Sequence, residues 1–576
     1  MPRFHPVLAL GLTAALLTAC ARTDLDETGA GNGAPPRVVP PMASVAPPPP
    51  PPPPPPVLAP NDVVITAARM GPPMAYAPAP SAPMAREAYA LRPPAYQNVG
   101  RDRFTAKEEN PVKLAREEPV STFSIDVDTA SYSFVRASLN QNVLPQPAAV
   151  RSEEMINYFP YDYAAPQSAE QPFSTNVSVF PSPWAPGRKL VRIGIKGYAI
   201  QRATRPRANL VFLIDTSGSM YAPNKLPLVQ QSLGMLLDEL APDDRVAIVT
   251  YAGNAGVALA PTPAREKSRI RAVIDRLSAG GGTAGAEGIR QAYMLAEENL
   301  DPQGVNRVIL ATDGDFNVGI TNETELKGYV ERERGKGVFL SVLGFGMGNY
   351  NDALMQTLAQ NGNGAAAYID TLAEARKTLV DEASSTLFPI AKDVKIQVEF
   401  NPAAVAEYRL IGYETRMLAR EDFDNDKVDA GDVGSGQTVT ALYEITPVGG
   451  PRAIGDLRYA RPTTAPVEAH GNEYGYVKIR YKLPKSDTSR LIATPIDRAS
   501  ETARFADAPQ DARFATGVAA FAELLRGGKY GGAMGYDDVL AIANAARGSD
   551  AFGYRAEFVQ IVRAAKTASA MARLDR

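Results

Sequence analysis

The chain of 576 residues has one cysteine, two histidines and no excess of charge of either sign. With Cys20 alone, no intramolecular disulfide can form, and a zinc site that needs several thiolates is excluded. His5 and His470 lie too far apart for a HExxH zinc motif. Sixty basic against 63 acidic residues leave a net charge of −3, which gives no reason to expect nucleic-acid binding. A Ser-His-Asp triad could use only His470, which we expect to be an exposed loop residue.

The first 19 residues have the pattern of a secretory signal. Arg3 precedes the short apolar stretch Val7–Leu17, which is too short to span a bilayer. The next residues, Leu-Thr-Ala-Cys ending at Cys20, resemble a bacterial lipobox. That resemblance implies that Cys20 is lipidated and becomes the first residue of a mature chain anchored in the cell envelope. Ala21 in place of Asp then favours the periplasmic face of the outer membrane, if the source is Gram-negative. The alternative is an ordinary signal peptide with an incidental cysteine.

Proline is frequent, with 50 residues, and it is concentrated in residues 20–100. The unbroken run Pro47–Pro56 predicts an extended polyproline II rod of ~3.1 Å per residue. We interpret 20–100 as a Pro-rich disordered spacer between a membrane and a folded body. The alternative is a ligand for a domain that recognises polyproline II segments.

The remaining chain divides by its hydrophobic patterns. Residues 207–388 alternate apolar strands with amphipathic helices, which predicts a mostly parallel sheet with helices on both faces. The predicted elements include the strands Arg245–Tyr251 and Ala366–Ile369 and the helices Glu323–Gly335 and Leu372–Phe388. Strand patterns before this segment (in an N-terminal domain, 101–206) and after it (in a β-rich domain, 389–485) predict that it is inserted in a β-rich domain. Residues 486–576 predict a helical C-terminal domain. The pair Asp126-x-Asp128 is interpreted as a strand end and helix N-cap in preference to a metal loop.

Oxygen-bearing side chains cluster where predicted strands end. The buried strand Asn209–Ile214 runs into Asp215, Ser217 and Ser219, and the strand Arg307–Thr312 runs into Asp313. Thr283 lies on a Gly-rich loop before another helix. In a parallel sheet the carboxyl ends of the strands lie on one rim, where ligands bind. Carboxylates and hydroxyls are hard oxygen ligands of the kind that Mg²⁺ prefers.

This order of residues, Asp-x-Ser-x-Ser followed by a distant Thr and a distant Asp, resembles the metal-ion-dependent adhesion site (MIDAS) of von Willebrand factor type A (VWA) domains. The resemblance covers roughly 207–388. It implies a Rossmann-like fold and a divalent ion, Mg²⁺ or else Mn²⁺ or Ca²⁺, held by Asp215, Ser217, Ser219, Thr283 and Asp313. It also implies that a carboxylate from a partner protein fills the open position on the ion. Asp315 could tune the charge of the site, although we favour a solvated loop acid.

Further segments resemble bacterial VWA lipoproteins of the YfbK type, which carry extra domains on both sides of the VWA domain. They include Phe123–Tyr132, Thr312–Gly319, Leu410–Glu414 and Val439–Ile445. Three functions are then open: an envelope-anchored module that binds an acidic partner protein, an assembly or scaffold component, and a metal-dependent hydrolase. We favour the first and expect no enzyme, because the five site residues leave only Asp315 as an obvious general base.

Overall fold

A computed structural model describes residues 102–125, 128–282, 285–314, 323–348, 350–455 and 470–574. The predicted signal peptide, Cys20, the spacer, Asp126, Thr283 and Asp315 lie outside these residues. Within the described ranges, no helix has both the length and the apolar character needed to cross a membrane.

The described residues form strands and helices whose bounds follow in chain order. The strands are β1 Lys113–Leu114, β2 Val120–Ser124, β3 Phe173–Pro181, β4 Lys189–Gly197, β5 Ala208–Asp215, β6 Arg245–Tyr251, β7 Ala255–Pro263, β8 Val305–Thr312, β9 Val338–Phe345, β10 Ala366–Ile369, β11 Pro389–Phe400, β12 Val405–Ile411, β13 Gly431–Gly434, β14 Thr438–Pro447, β15 Glu473–Lys482 and β16 Ser489–Asp497. The helices are α1 Ala130–Asn140, α2 Ser152–Asn157, α3 Leu226–Glu239, α4 Lys267–Ile274, α5 Gly285–Glu298, α6 Glu323–Gly335, α7 Asp352–Asn361, α8 Leu372–Arg376, α9 Ala383–Leu387, α10 Gln510–Arg526, α11 Tyr536–Ala545 and α12 Tyr554–Leu574.

The α/β domain is built on a six-stranded sheet in the order β10-β9-β8-β5-β6-β7. The strands are parallel except for β7, which pairs antiparallel with β6 at one edge. Every residue of β5 is buried, because helices cover both faces of the sheet. Leu210 and Phe212 pack on the side of α3 and α4, whereas Val211 and Leu213 pack on the side of α5, α6 and α7. The predicted fold class is therefore confirmed.

Two antiparallel sheets form the β-rich part. One has the order β1-β12-β14-β4-β3; in the other, β11 pairs with β2, β13 and β15, and β16 follows β15. Their apolar faces share one core. Strand β4 precedes the α/β domain and β14 follows it, and they pair from Lys189↔Ile445 to Lys196↔Thr438. This pairing confirms that the α/β domain is inserted in a β-rich domain.

The C-terminal helices α10, α11 and α12 pack with α1 and α2 around a separate core that contains Phe159, Phe514 and Phe558. The sequence predicted these helices but not the strand β16, which lies at the start of the range 486–576. The single helix predicted over Leu372–Phe388 is instead α8, a π-helical turn at Lys377–Asp381, and α9.

Candidate metal site at the carboxyl ends of the sheet

The end of β5 and the loop after it carry three of the predicted site residues. The Ser217 backbone N–H donates a 2.9 Å hydrogen bond to Oδ1 of Asp215, which closes the chain into a tight turn. The Ser217 and Ser219 hydroxyl oxygens lie 3.0 Å apart. Asp215 and Ser217 are buried and Ser219 is partly exposed. The hydroxyls therefore point toward one another beside the carboxylate, as the Asp-x-Ser-x-Ser spacing predicts.

The second oxygen of Asp215 is held by neighbours from both adjacent strands. Oδ2 accepts hydrogen bonds of 3.2 Å from the Tyr251 hydroxyl at the end of β6 and from the Thr312 hydroxyl at the end of β8. Burial raises the pKa of Asp215 to about 6; the hydrogen bonds from Ser217 and Thr312 oppose the rise, and the negative charge of Asp313 adds to it. Burial of the charged Asp215 carboxylate is therefore unfavourable unless a cation lies nearby.

Asp313 reaches the same rim because β5 and β8 are parallel neighbours, with Ile214 opposite Ala311. Its carboxylate is fully buried. Lys225, the residue before α3, places its Nζ 2.7 Å from Oδ2 of Asp313. The structure thus brings two buried carboxylates and one ammonium to the carboxyl ends of the central strands.

The Gly-rich loop before α5 is attached to the Asp-x-Ser-x-Ser loop by two backbone hydrogen bonds. The Gly280 N–H donates to the Thr216 carbonyl at 2.8 Å, and the Gly218 N–H donates to the Gly281 carbonyl at 3.1 Å. Gly281 has φ +84°, and a Cβ there would lie 3.3 Å from the Gly253 nitrogen. The two loops are therefore in contact at Gly280 and Gly281, while Thr283 itself stays a prediction.

The donor set fits a divalent ion of the Mg²⁺ type. Asp215, Ser217, Ser219 and Asp313 offer carboxylate and hydroxyl oxygens and no nitrogen or sulfur. In the described part of the chain, no group of three or more His, Cys, Asp and Glu side chains is placed to hold a metal. A site here would therefore depend on hydroxyls and water as well as on its two carboxylates.

Sequence reasoning missed three residues of this site: Tyr251, Thr312 and Lys225. Tyr251 and Thr312 are the last residues of strands that flank β5, so the strand-end rule that found Asp313 could have found them. No sequence pattern pointed to Lys225, because its position depends on where α3 begins and not on strand register.

Two other polar residues have structural surroundings. Asp128 does not cap α1: the N-cap position is Thr129, and Asp128 instead accepts hydrogen bonds from the Ala366 N–H and from Arg416. The preference for an N-cap was wrong, since the carboxylate joins β10 to the β-rich part. His470 is exposed, as expected, and lies 3.6 Å from Glu473.

The sequence of this chain is similar to that of a known bacterial protein. YfbK of Escherichia coli (strain K12) is 44% identical over 472 residues, which cover 81% of each chain. The chain belongs to the YfbK family. Residues 385–568 match the family described as "Uncharacterized protein YfbK, C-terminal", residues 209–382 match the von Willebrand factor type A domain, and residues 98–192 match a von Willebrand factor family.

More distant relatives share the VWA domain. The Synechocystis protein sll0103 is 28% identical over 191 residues, which cover 33% of this chain and 44% of that protein. A solved von Willebrand factor type A structure from Catenulispora acidiphila is 15% identical with a TM-score of 0.39, and covers 69% of this chain and 91% of that one. Proximal thread matrix protein 1 of the mussel byssus, solved with a zinc-occupied MIDAS motif, is 23% identical with a TM-score of 0.26, over 31% of this chain and 46% of that one. VWA domains generally mediate protein–protein interactions, in some cases through a MIDAS.

Proposed function

We propose that this YfbK-family protein binds a partner protein through a divalent ion held in its VWA domain. The ligands would be Asp215, Ser217, Ser219, Thr283 and Asp313, some of them acting through water. The observation that carries the proposal is the convergence of the Asp215, Ser217, Ser219 and Asp313 oxygens at one rim of the sheet.

Mg²⁺ is the ion that suits these oxygens best, with Mn²⁺ and Ca²⁺ as substitutes. Mg²⁺ is bound by few protein oxygens and keeps several waters, so a ligand set of two carboxylates and hydroxyls is sufficient. A water on the ion can be replaced by a carboxylate, and a partly desolvated contact between the ion and a negative charge is strong. The partner would therefore contribute an Asp or Glu side chain.

An exposed aromatic ring lies next to the site. Tyr221 ends the short 3₁₀ turn that contains Ser219, and its side chain is 81% exposed. Exposed tyrosines supply large contact areas at protein interfaces. A macromolecular partner would cover this ring while its carboxylate reaches the ion.

The proposed setting is the cell envelope. A lipidated Cys20 would anchor the chain, and residues 20–100 would separate the folded body from the membrane. A spacer of this kind suits a protein that captures partners at a distance from its anchor.

Binding of a partner is favoured over catalysis. A metal-dependent hydrolase needs a general base beside the ion, whereas both carboxylates described at the site already accept hydrogen bonds, Asp215 from Ser217 and Asp313 from Lys225. The second candidate is a scaffold role in an envelope complex. In that case the VWA domain would still bind a protein, but as a permanent subunit that does not depend on free ion.

The test is capture of envelope proteins by the full chain in Mg²⁺ and in chelator. We expect capture by the wild type in Mg²⁺ only, and none by Asp215→Ala or by the closer isostere Asp215→Asn. Asp487→Asn is the matched control, because this acidic side chain is 98% exposed in the β-rich part. Capture that is unchanged in chelator would contradict the metal bridge and favour the scaffold. Mass spectrometry of the mature N-terminus tests lipidation of Cys20 separately.

A further inference from the structure

We propose that Lys225 is a built-in cation of the metal site, which weakens its hold on a free divalent ion and strengthens its hold on an anionic partner. This inference rests on the proposed function, since it describes how the same site is tuned. It assigns a role to a residue outside the five predicted ligands.

The contact is an ion pair across distant parts of the chain. Lys225 lies directly before α3, and its Nζ donates a 2.7 Å hydrogen bond to Oδ2 of Asp313, which follows β8. The Lys225 side chain is 10% exposed and the Asp313 side chain is fully buried. The pair is thus far less screened by solvent than an exposed surface ion pair.

The residue after β9, Gly346, leaves room for the Lys225 side chain. Gly346 follows β9 with φ +75°, and a Cβ at this position would lie 2.4 Å from Cε of Lys225 and 2.7 Å from its Cγ. Real Cβ atoms do not approach other atoms so closely, so the lysine stem lies where only a glycine leaves room. The start of α3, the end of β8 and the residue after β9 together direct the ammonium to Asp313.

The two carboxylates of the site therefore differ in the charge of their hydrogen-bond donors. Asp215 accepts hydrogen bonds from the neutral groups of Ser217, Tyr251 and Thr312. Asp313 has a full positive charge beside it. Neutral donors leave the charge of Asp215 in place, whereas Lys225 offsets the charge of Asp313.

The net charge of these three groups determines how the site binds ions. Two carboxylates and one ammonium among the described residues leave one net negative charge, so a divalent ion brings the group to a net charge of +1. The ammonium repels the incoming cation and lowers its affinity. The same positive charge attracts the carboxylate of a partner, so ion and partner bind the site best together.

The test measures ion and anion binding separately on the full chain. Mn²⁺ affinity is measured by calorimetry, and acetate is used as the anionic probe on the Mn²⁺-bound protein, with acetate proton relaxation as the readout. Lys225→Met removes the charge and keeps the stem that lies over Gly346. We expect it to bind Mn²⁺ about 10-fold more tightly and acetate several-fold more weakly than the wild type does.

Two further variants keep the test decisive. Lys225→Gln can still donate a neutral hydrogen bond, so it serves if Lys225→Met does not fold, and it should shift both affinities in the same directions. Lys267→Met, on α4 of the same domain with a side chain 43% exposed, should match the wild type.

The outcomes separate this inference from the proposed function. Equal Mn²⁺ affinities for the wild type and both Lys225 variants would overturn the role of Lys225 and leave the metal site intact. Weaker Mn²⁺ binding by the variants would also overturn it. Absence of Mn²⁺ binding by all of the proteins would overturn both the inference and the proposed function.

Discussion

The backbone N–H of Gly218 donates a 3.1 Å hydrogen bond to the carbonyl of Gly281, which joins the loop carrying two of the candidate ligands to the loop that leads to a third. This relationship makes the conformation of the Gly-rich loop part of the site. The glycines in this loop differ in whether they tolerate a side chain.

Gly281→Ala should destabilise the protein by about 1–2 kcal/mol, because its φ of +84° places an L side chain in the left-handed region. It should also weaken Mn²⁺ binding, since the added Cβ would press on Gly253. Gly280→Ala is the control: its Cβ would have no atom within 4 Å. Chemical denaturation and Mn²⁺ calorimetry measure both effects, and equal behaviour of the two variants would count against the loop's role.

The site was predictable from sequence where strand ends determine it. Asp215 and Asp313 were placed on one rim because each follows a buried strand of a parallel sheet, and β5 and β8 are indeed neighbours. The contact between Lys225 and Asp313 could not be predicted in this way. It depends on the path of a long side chain over Gly346, which hydrophobic periodicity does not encode.

The same distinction holds for the fold. The helix Glu323–Gly335 and the strands Arg245–Tyr251 and Ala366–Ile369 have the bounds that their patterns predict. Strand β16 was missed because it is an edge strand beside β15 and many of its residues are exposed. Its sequence therefore shows little alternation between apolar and polar residues. The role of Asp128 was mistaken because its partners, Ala366 and Arg416, lie more than 200 residues away.

Tyr221→Ala should reduce partner capture without altering the affinity for Mn²⁺. The ring is 81% exposed and adjoins the metal loop, so its removal takes away contact area and leaves the ligands in place. The loss expected for an interface tyrosine is about 1–2 kcal/mol of binding free energy. Phe552→Ala is the matched control, an aromatic ring 56% exposed in the C-terminal helical region. Undiminished capture by Tyr221→Ala would place the interface elsewhere on the molecule.

Arg136 joins the N-terminal helix α1 to the α/β domain and to the last helix. It forms ion pairs with Asp370, with Glu374 at 2.8 Å and with Glu557 at 3.1 Å, and its side chain is 2% exposed. Arg136→Met should lower the free energy of unfolding by about 3–5 kcal/mol, because Asp370 and Glu374 would remain buried without the guanidinium that pairs with both.

The control for this ion-pair cluster is Arg202→Met, since the Arg202 side chain is 78% exposed where it pairs with Glu239. Its loss should change the free energy of unfolding by less than about 1 kcal/mol. Urea denaturation of both variants supplies the comparison. A loss for Arg136→Met as small as that of the control would show that the cluster does not stabilise the fold.

Asp432 should make stability fall as pH rises. Burial and the nearby carboxylates of Asp429 and Asp393 raise its pKa from 3.8 to about 7. Between these values the folded chain holds a proton that the unfolded chain has released, so the free energy of unfolding decreases from about pH 4 to pH 7. Asp432→Asn removes this loss and should be more stable than the wild type at pH 8, by about 1–3 kcal/mol, but not at pH 4.5.

Thermal unfolding across this pH range measures the difference. The exposed Asp487→Asn should follow the wild-type curve at every pH. A constant offset between Asp432→Asn and the wild type from pH 4.5 to pH 8 would mean that Asp432 ionises normally in the folded chain.

The central claim is that the rim of the VWA sheet binds one divalent ion. The most direct measurement is Mn²⁺ binding to the full chain by electron paramagnetic resonance, for the wild type, Asp215→Asn, Asp313→Asn and the exposed control Asp487→Asn. We predict one bound Mn²⁺ per chain, displaced by excess Mg²⁺, in the wild type and the control, and a loss of that ion in both site variants. Mn²⁺ binding that is absent from the wild type, or that persists unchanged in Asp215→Asn and Asp313→Asn, would contradict the account.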